Sequence, residues 1–227
     1  MSYNKLAKAI NELKSGKPLI VFDGSERENE TDIIYPAEYI TPKAISMLRQ
    51  DAGGLICLAI PLTHANKIGL PFITDFIASN HNKTLRRISC KKTPYGDKPA
   101  FSVTINHKNT FTGITDNDRA LTIKQISRMF KLSPSKMKQY FISNFYTPGH
   151  VSLLLGKSVE ERKGHTELSL ALMNLAKLSP AAVLCEMLDS KTGNALAKRK
   201  AIEYARKHNL QFVEKKEILS WVAKNEN

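Results

Sequence analysis

Apolar residues in this chain arrive in short solid runs separated by longer stretches in which they recur every three or four positions. The solid runs read as buried strands: Leu19-Ile20-Val21-Phe22, Leu55–Pro61, Val151–Leu155 and Ala181–Leu188. Looser or shorter runs at Thr31–Glu38, Ala100–Ile105 and around Phe212 read as further strands. Between them, helical spacing appears at Leu6, Ile10 and Leu13, stopped by Gly16, and again after Thr41-Pro42, where Ile45, Met47 and Leu48 precede Gly53-Gly54. A short helix is expected over Thr63–Leu70, and others over 121–130, after Ser133-Pro134, from Arg162–Glu167 onward, over 196–208, and around Ile218, Leu219 and Val222. The segment 75–98 has no clear period and reads as a long loop, and Thr110–Ala120 as a polar, turn-rich one; loops of such length are usually functional or disordered. Thr147-Pro148-Gly149-His150 reads as a turn. Strands and helices interleave, which predicts an α/β (α+β) fold: one layered domain with a mixed, twisted sheet flanked by helices.

Composition narrows the class. The 227 residues suit one domain, and 42% hydrophobic with 24% charged residues is that of an ordinary globular protein. No apolar run approaches the ~18 residues of a membrane span, and the N-terminus lacks a secretory pattern, so neither membrane nor export is expected. Cys57, Cys90 and Cys185 have neither disulfide-framework nor zinc-site spacing; Cys57 and Cys185 lie in apolar runs, which points to buried thiols and a reducing, cytoplasmic setting. The net charge of +13 permits nucleic-acid binding but equally suits an anionic small substrate. The basic residues are spread over three segments and do not alternate with aromatics, so no nucleic-acid partner is expected.

Chemistry concentrates directly after the first strand. Asp23, Glu26, Glu28, Glu30 and Asp32 surround Arg27 on a loop gripped by Leu19–Phe22 on one side and Ile33-Ile34-Tyr35 on the other. Crowded carboxylates raise each other's pKa unless a cation sits among them, and a hard divalent ion is the natural one. A solvated acidic loop is the bland alternative. A second concentration is Arg162-Lys163-Gly164-His165-Thr166 at the mouth of a helix: two cations, a glycine that lets the backbone approach, a hydroxyl and free N–H groups read as a phosphate cradle beside a histidine, against a plain surface helix cap. His150 follows Pro-Gly at a strand start. Glu186 interrupts the apolar run Val183–Leu188, where a carboxylate needs a partner or a shifted pKa; it is either an acid/base group or a sheet-end acid facing solvent.

In their order, these motifs resemble one family closely. Asp23-x-x-x-Arg27-Glu28-Asn29-Glu30-x-Asp32, Asp51-Ala-Gly-Gly-Leu-Ile-Cys57, Thr112-Gly-Ile-Thr115-Asp116-Asn-Asp-Arg119, Pro148-Gly-His150, Arg162-x-Gly-His-Thr-Glu167 and Cys185-Glu186 are similar to those of 3,4-dihydroxy-2-butanone 4-phosphate synthases, in the monofunctional archaeal layout, over roughly residues 5–220. The resemblance implies a single synthase domain over 1–227 and conversion of ribulose 5-phosphate to 3,4-dihydroxy-2-butanone 4-phosphate and formate in riboflavin biosynthesis. It implies enediol formation, dehydration, skeletal rearrangement and formate release, with magnesium or manganese, two ions per site, and a homodimer with sites at or near the subunit interface. By position, Glu28 and His165 match metal ligands. Arg27, Glu28, Asp32, Thr115 and the run Arg162, Lys163, Gly164, His165, Thr166 match substrate contacts, together with Glu186. His150, Glu186, Glu30 and Cys57 match catalytic positions, with Glu30, Cys57 and Thr115 close to the substrate. Two other classes stand beside this reading: a basic nucleic-acid-binding module, which would bind RNA in a strongly salt-dependent way, and another metal-dependent sugar-phosphate isomerase or aldolase.

Overall fold

The computed structural model describes residues 2–89 and 92–225, so Cys90 lies outside the described residues. In chain order the elements are α1 (Ser2–Lys14), β1 (Leu19–Phe22), β2 (Thr31–Pro36), α2 (Pro42–Met47), β3 (Cys57–Pro61), α3 (Leu62–Ile68), α4 (Ile73–Ser79), α5 (Lys83–Ile88), β4 (Phe101–His107), α6 (Asp116–Met129), α7 (Pro134–Asn144), β5 (Phe145–Gly156), α8 (His165–Leu175), β6 (Ala182–Glu186), α9 (Lys198–Lys207), β7 (Gln211–Glu214) and α10 (Lys215–Asn225).

The seven strands form one mixed sheet in the order β4-β5-β3-β6-β2-β1-β7. β1 pairs antiparallel with β2 and parallel with β7, while β3 pairs parallel with β5 and antiparallel with β6. Successive side chains of a strand point to opposite faces, and both faces here are covered. On one, Ile20, Ile33, Leu58, Ile60 and Val183 pack under Ile45 of α2, Ile123 and Ile126 of α6 and Ala201 of α9. On the other, Leu19, Val21, Ile34, Ala59 and Leu184 pack under Leu13 of α1, Leu168 and Leu172 of α8 and Ile218 of α10. Burial on both faces explains why β1 and β3 read as solid apolar runs rather than alternating ones.

Several expectations are corrected. The segment 75–98 is not one long loop: α4 and α5 interrupt it over 75–79 and 83–88, and Asn82 caps α5 by accepting from Thr84 N and Leu85 N. Each helix runs under two turns, too short for an apolar stripe to declare itself. The helix expected at 121 starts at Asp116, because Thr115 caps it by accepting from Asp118 N at 3.1 Å. The turn expected at 147–150 lies within β5, which runs on from Phe145 and pairs with β4. The helix after Pro42 finishes as a wider turn over Leu48–Ala52, closed at Gly53.

Candidate active site

The register brings the acidic loop, α8 and β6 to one end of the sheet. Asp32 on β2 lies opposite Glu186 on β6, and Cys57 on β3 lies opposite Leu184, two residues before Glu186. The loop between β1 and β2 is built on Asp23, which is fully buried. Its Oδ1 accepts from Glu30 N at 3.1 Å, and its Oδ2 accepts from Glu28 N at 3.1 Å and Arg27 Nη1 at 3.0 Å. One carboxylate thus folds the loop around itself, as short Asp side chains do in turns, and turns Glu28 and Arg27 toward α8. A cavity of about 200 Å³ opens there, lined by Arg27, Glu28, Glu30, Asp32, Cys57, Arg162, His165, Thr166 and Glu186 together with Thr93 and Tyr95.

His165, first residue of α8, is buried. Its Nε2 lies 3.2 Å from the Val21 carbonyl. A carbonyl only accepts, so Nε2 carries the hydrogen, and the lone pair of a neutral ring resides on Nδ1. That Nδ1 faces Glu28 Oε2 at 3.4 Å, an oxygen that also pairs with Arg27 Nη1 at 2.5 Å from another side. Two acceptors held face to face need a cation between them. Without a metal the cation is a proton: burial opposes the charged ring, but Asp32, Glu28 and Asp23 outweigh it and raise the imidazole to about 9. Glu28 is correspondingly lowered to about 2, its burial outweighed by hydrogen bonds from His165 and Tyr95 and by the charge of Arg27.

The same donor pair fits a divalent ion. Ligand atoms of Asp23, Glu28 and His165 all lie within 4.8 Å of one another. Asp23 is engaged by three donors of its own loop, whereas Glu28 and His165 turn their acceptors toward each other, and the Val21 carbonyl supplies the hydrogen bond that fixes the His165 ring. Asp32 adds a buried Oδ1 with no hydrogen-bond partner, 3.6 Å from His165 Nε2.

Burial raises Asp32 to about 7, His165 opposing and Glu186, Glu28 and Glu30 reinforcing. Glu30 is also raised, by burial and by the charges of Glu28 and Glu186. Glu186 finds its partner in the backbone: its Oε2 accepts from Leu55 N at 2.8 Å, and its carbonyl from Gly54 N at 3.0 Å. A Cβ on Gly54 would meet that carboxylate at 2.5 Å, which accounts for the glycine at this point. Cys57 is a buried wall of the cavity; burial and the charges of Glu186 and Asp32 push its thiol well above the ordinary range, so it stays protonated.

At the other wall, Arg27 and Arg162 converge on Gly164, whose imagined Cβ would meet Arg27 Nη2 at 2.6 Å and Arg162 Nη1 at 2.7 Å. Glu167 holds this corner. It is buried (1% exposed), pairs with Arg162 Nη1 at 2.5 Å and accepts from Lys157 N and Gly164 N, each at 3.2 Å. The two guanidiniums and the N-terminus of α8 form a cationic cradle next to the acids.

Four sequence-selected residues fall outside the cavity lining, among them Gly164, which is buried where Arg27 and Arg162 converge. Lys163 is exposed beside it. Thr115 is spent as the cap of α6. His150 is exposed; its backbone N–H donates to Asn106 Oδ1 at 2.8 Å and its Nδ1 lies 3.1 Å from Asn106 Nδ2. Conversely, the site contains groups that the motif reading gave no role: Asp23, Glu167, Tyr95, whose ring lies 4.7 Å from the Arg27 guanidinium, and Asp97. Asp23 and Glu167 were visible as acids at fixed spacing from Arg27 and His165. Nothing in the sequence near Tyr95 and Asp97 announces that they fold back onto a loop some seventy positions earlier.

A mixed, doubly covered sheet carrying an acid-and-histidine cluster beside two arginines at a helix mouth defines the class: an α/β protein with an enzyme-like polar cavity at one end of its sheet. Residues 7–221 match the family model of 3,4-dihydroxy-2-butanone 4-phosphate synthase. The chain is 44% identical over 218 residues to the 3,4-dihydroxy-2-butanone 4-phosphate synthase of Methanothermobacter thermautotrophicus, covering 94% of each chain. It is 42% identical over 216 residues to that of Archaeoglobus fulgidus, covering 93% of this chain and 91% of the relative. Among solved structures, a 3,4-dihydroxy-2-butanone 4-phosphate synthase in complex with two magnesium ions superposes with a TM-score of 0.77 at 26% identity, over 97% of both chains. The chain belongs to the 3,4-dihydroxy-2-butanone 4-phosphate synthase family.

Proposed function

We propose that this chain, as one domain over its whole length, converts D-ribulose 5-phosphate to L-3,4-dihydroxy-2-butanone 4-phosphate and formate in riboflavin biosynthesis. The observation that carries the reading is the pair of facing lone pairs on Glu28 and His165, 3.4 Å apart, in one cavity with the two-arginine cradle. Glu28 and His165 hold magnesium or manganese, the first of two ions; when bound, such an ion supplies Lewis-acid polarisation of the sugar oxygens. Arg27, Arg162, Gly164 and Thr166 take the phosphate, with Lys163 adding charge at the rim. The substrate's carbons then extend toward Asp32, Glu30 and Glu186 on the strand ends.

Those three carboxyls suit the successive proton transfers that excision of a carbon as formate requires. Asp32, at about 7, exchanges a proton readily near neutrality, and the raised Glu30 lies beside it. Glu186, held by Leu55 N–H, is the acid/base group whose position is fixed most firmly by backbone. Cys57, as a neutral thiol, closes the apolar side of the cavity and excludes water.

The protein acts as a homodimer in which His150 and Thr115 of one copy complete the cavity of the other. Support comes from their place: both His150 and Thr115 are exposed, on an open surface near the exposed Phe111 and Tyr146, rather than turned into the cavity of their own chain. Incubation with ribulose 5-phosphate and magnesium tests the activity. Formate in step with loss of substrate is the expected result. Turnover without formate would move the chain to another sugar-phosphate isomerase or aldolase, and no turnover by folded protein would refute the reading.

A further inference from the structure

Asp97 sits where a phosphate is expected. Its Oδ2 accepts from Arg27 Nε at 3.2 Å and Arg27 Nη2 at 3.1 Å, and lies 3.5 Å from Arg162 Nε. One carboxylate oxygen therefore stands at the focus of both cradle arginines. It is aimed there by a tight turn rather than by chance contact: Thr93 N and Thr93 Oγ1 both donate to the Asp97 carbonyl, at 2.8 and 3.0 Å, and Gly96 N donates to Thr93 O at 2.9 Å. Tyr95, in the same turn, lays its ring against Arg27 and hydrogen-bonds Glu28. The match is incomplete at one point. Arg162 Nε is buried and makes no hydrogen bond. A carboxylate anchored to Arg27 leaves that donor over, whereas a phosphate, with three free oxygens, can serve both guanidiniums at once.

We propose that Asp97 is a tethered stand-in for the substrate phosphate: in the free protein it fills the place between Arg27 and Arg162, which Asp23, Glu28 and Glu167 hold from their other sides, and it must be displaced when a phosphate enters. This rests on the phosphate cradle assigned above. A site occupied by its own side chain in about nine-tenths of molecules binds its ligand about tenfold more weakly than the open site. Removing the stand-in then has a result that damage to the fold does not produce, a gain in affinity. The test is calorimetric binding of inorganic phosphate to the full chain in magnesium-containing buffer at fixed ionic strength, for wild type, Asp97→Asn, Asp97→Ala and Arg162→Gln. Both Asp97 variants are expected to bind phosphate about tenfold more tightly than wild type, and Arg162→Gln to bind it more weakly. Unchanged or weaker binding in both Asp97 variants overturns the proposal while leaving the cradle in place, provided that Arg162→Gln shows its loss. Wild-type affinity in Arg162→Gln overturns the cradle and the proposal together.

Discussion

Raising the pH should tighten magnesium binding, because the ion and a proton compete for one place between Glu28 and His165. In the metal-free site the imidazole is raised to about 9 and the Glu28 carboxyl lowered to about 2, so near neutrality the competitor is the proton on His165. At about pH 7 the ion must displace a proton held about two units above its surroundings, which costs about 2.7 kcal/mol. Apparent affinity should therefore rise nearly tenfold per pH unit well below 9 and about twenty-five-fold between about pH 7 and 8.5, levelling off near 9. Calorimetry in buffers of different ionisation enthalpy should show close to one proton released per ion bound at about pH 7.5. The sign for stability follows from the same shift. The folded value lies above the ordinary 6.5, so protonated His165 stabilises the metal-free fold fully below about 6.5, and that contribution disappears as the pH rises through about 9. Metal-free protein should lose melting temperature across that window, and magnesium should restore it. A magnesium affinity that changes less than twofold from pH 7 to 8.5, or heats that do not depend on the buffer, would refute the account of the Glu28–His165 pair.

Three further outcomes follow from named contacts. Glu167→Ala strips Arg162, Gly164 N–H and Lys157 N–H of their buried acceptor, which should cost about 3–5 kcal/mol and lower the melting temperature by roughly 6–20 °C, while Glu167→Gln, keeping an acceptor without a buried charge, should cost much less; equal melting of Glu167→Ala and wild type would exclude the role. Glu186→Gln should bind ribulose 5-phosphate, measured with calcium in place of magnesium, yet turn over at least about a hundredfold more slowly; unchanged turnover would exclude Glu186 as acid/base, and lost binding with near-normal turnover at saturation would make it a substrate clamp. Mixing Glu28→Ala with His150→Ala chains, with subunit exchange verified, should recover activity, and its absence would mean that one chain completes its own site.

The parts of this site legible in the sequence are those held by neighbours along the chain. The solid run Leu19–Phe22 announces a strand buried on both faces, so the acids after it had to sit at a strand end. Arg162–Thr166 announces a helix mouth because Gly164, His165 and Thr166 lie within one turn. What joins the two is not local. His165 meets Glu28 only because α8 packs across β2, β3, β5 and β6 of the sheet, which brings its first residue's Nε2 to the Val21 carbonyl. Asp97 meets Arg27 across 70 positions. The helices α4 and α5 escaped because six or seven residues carry too few apolar positions to fix a period, and α5 buries none of its side chains. Thr115 and His150 stand in strong motifs, yet neither lines the cavity of its own chain: Thr115 caps α6 and His150 is exposed beside Asn106.

The central claim is that Glu28 and His165 hold the divalent ion with which this chain releases formate from ribulose 5-phosphate. The most direct measurement is the magnesium dependence of formate release by protein first stripped with a chelator, set beside magnesium binding by calorimetry, for wild type and Glu28→Ala. Stripped wild type should release no formate, magnesium should restore release with a half-point that matches the binding constant, and Glu28→Ala should lose binding and release together. Full release in the presence of chelator, or an unchanged magnesium dependence in Glu28→Ala, would contradict the claim.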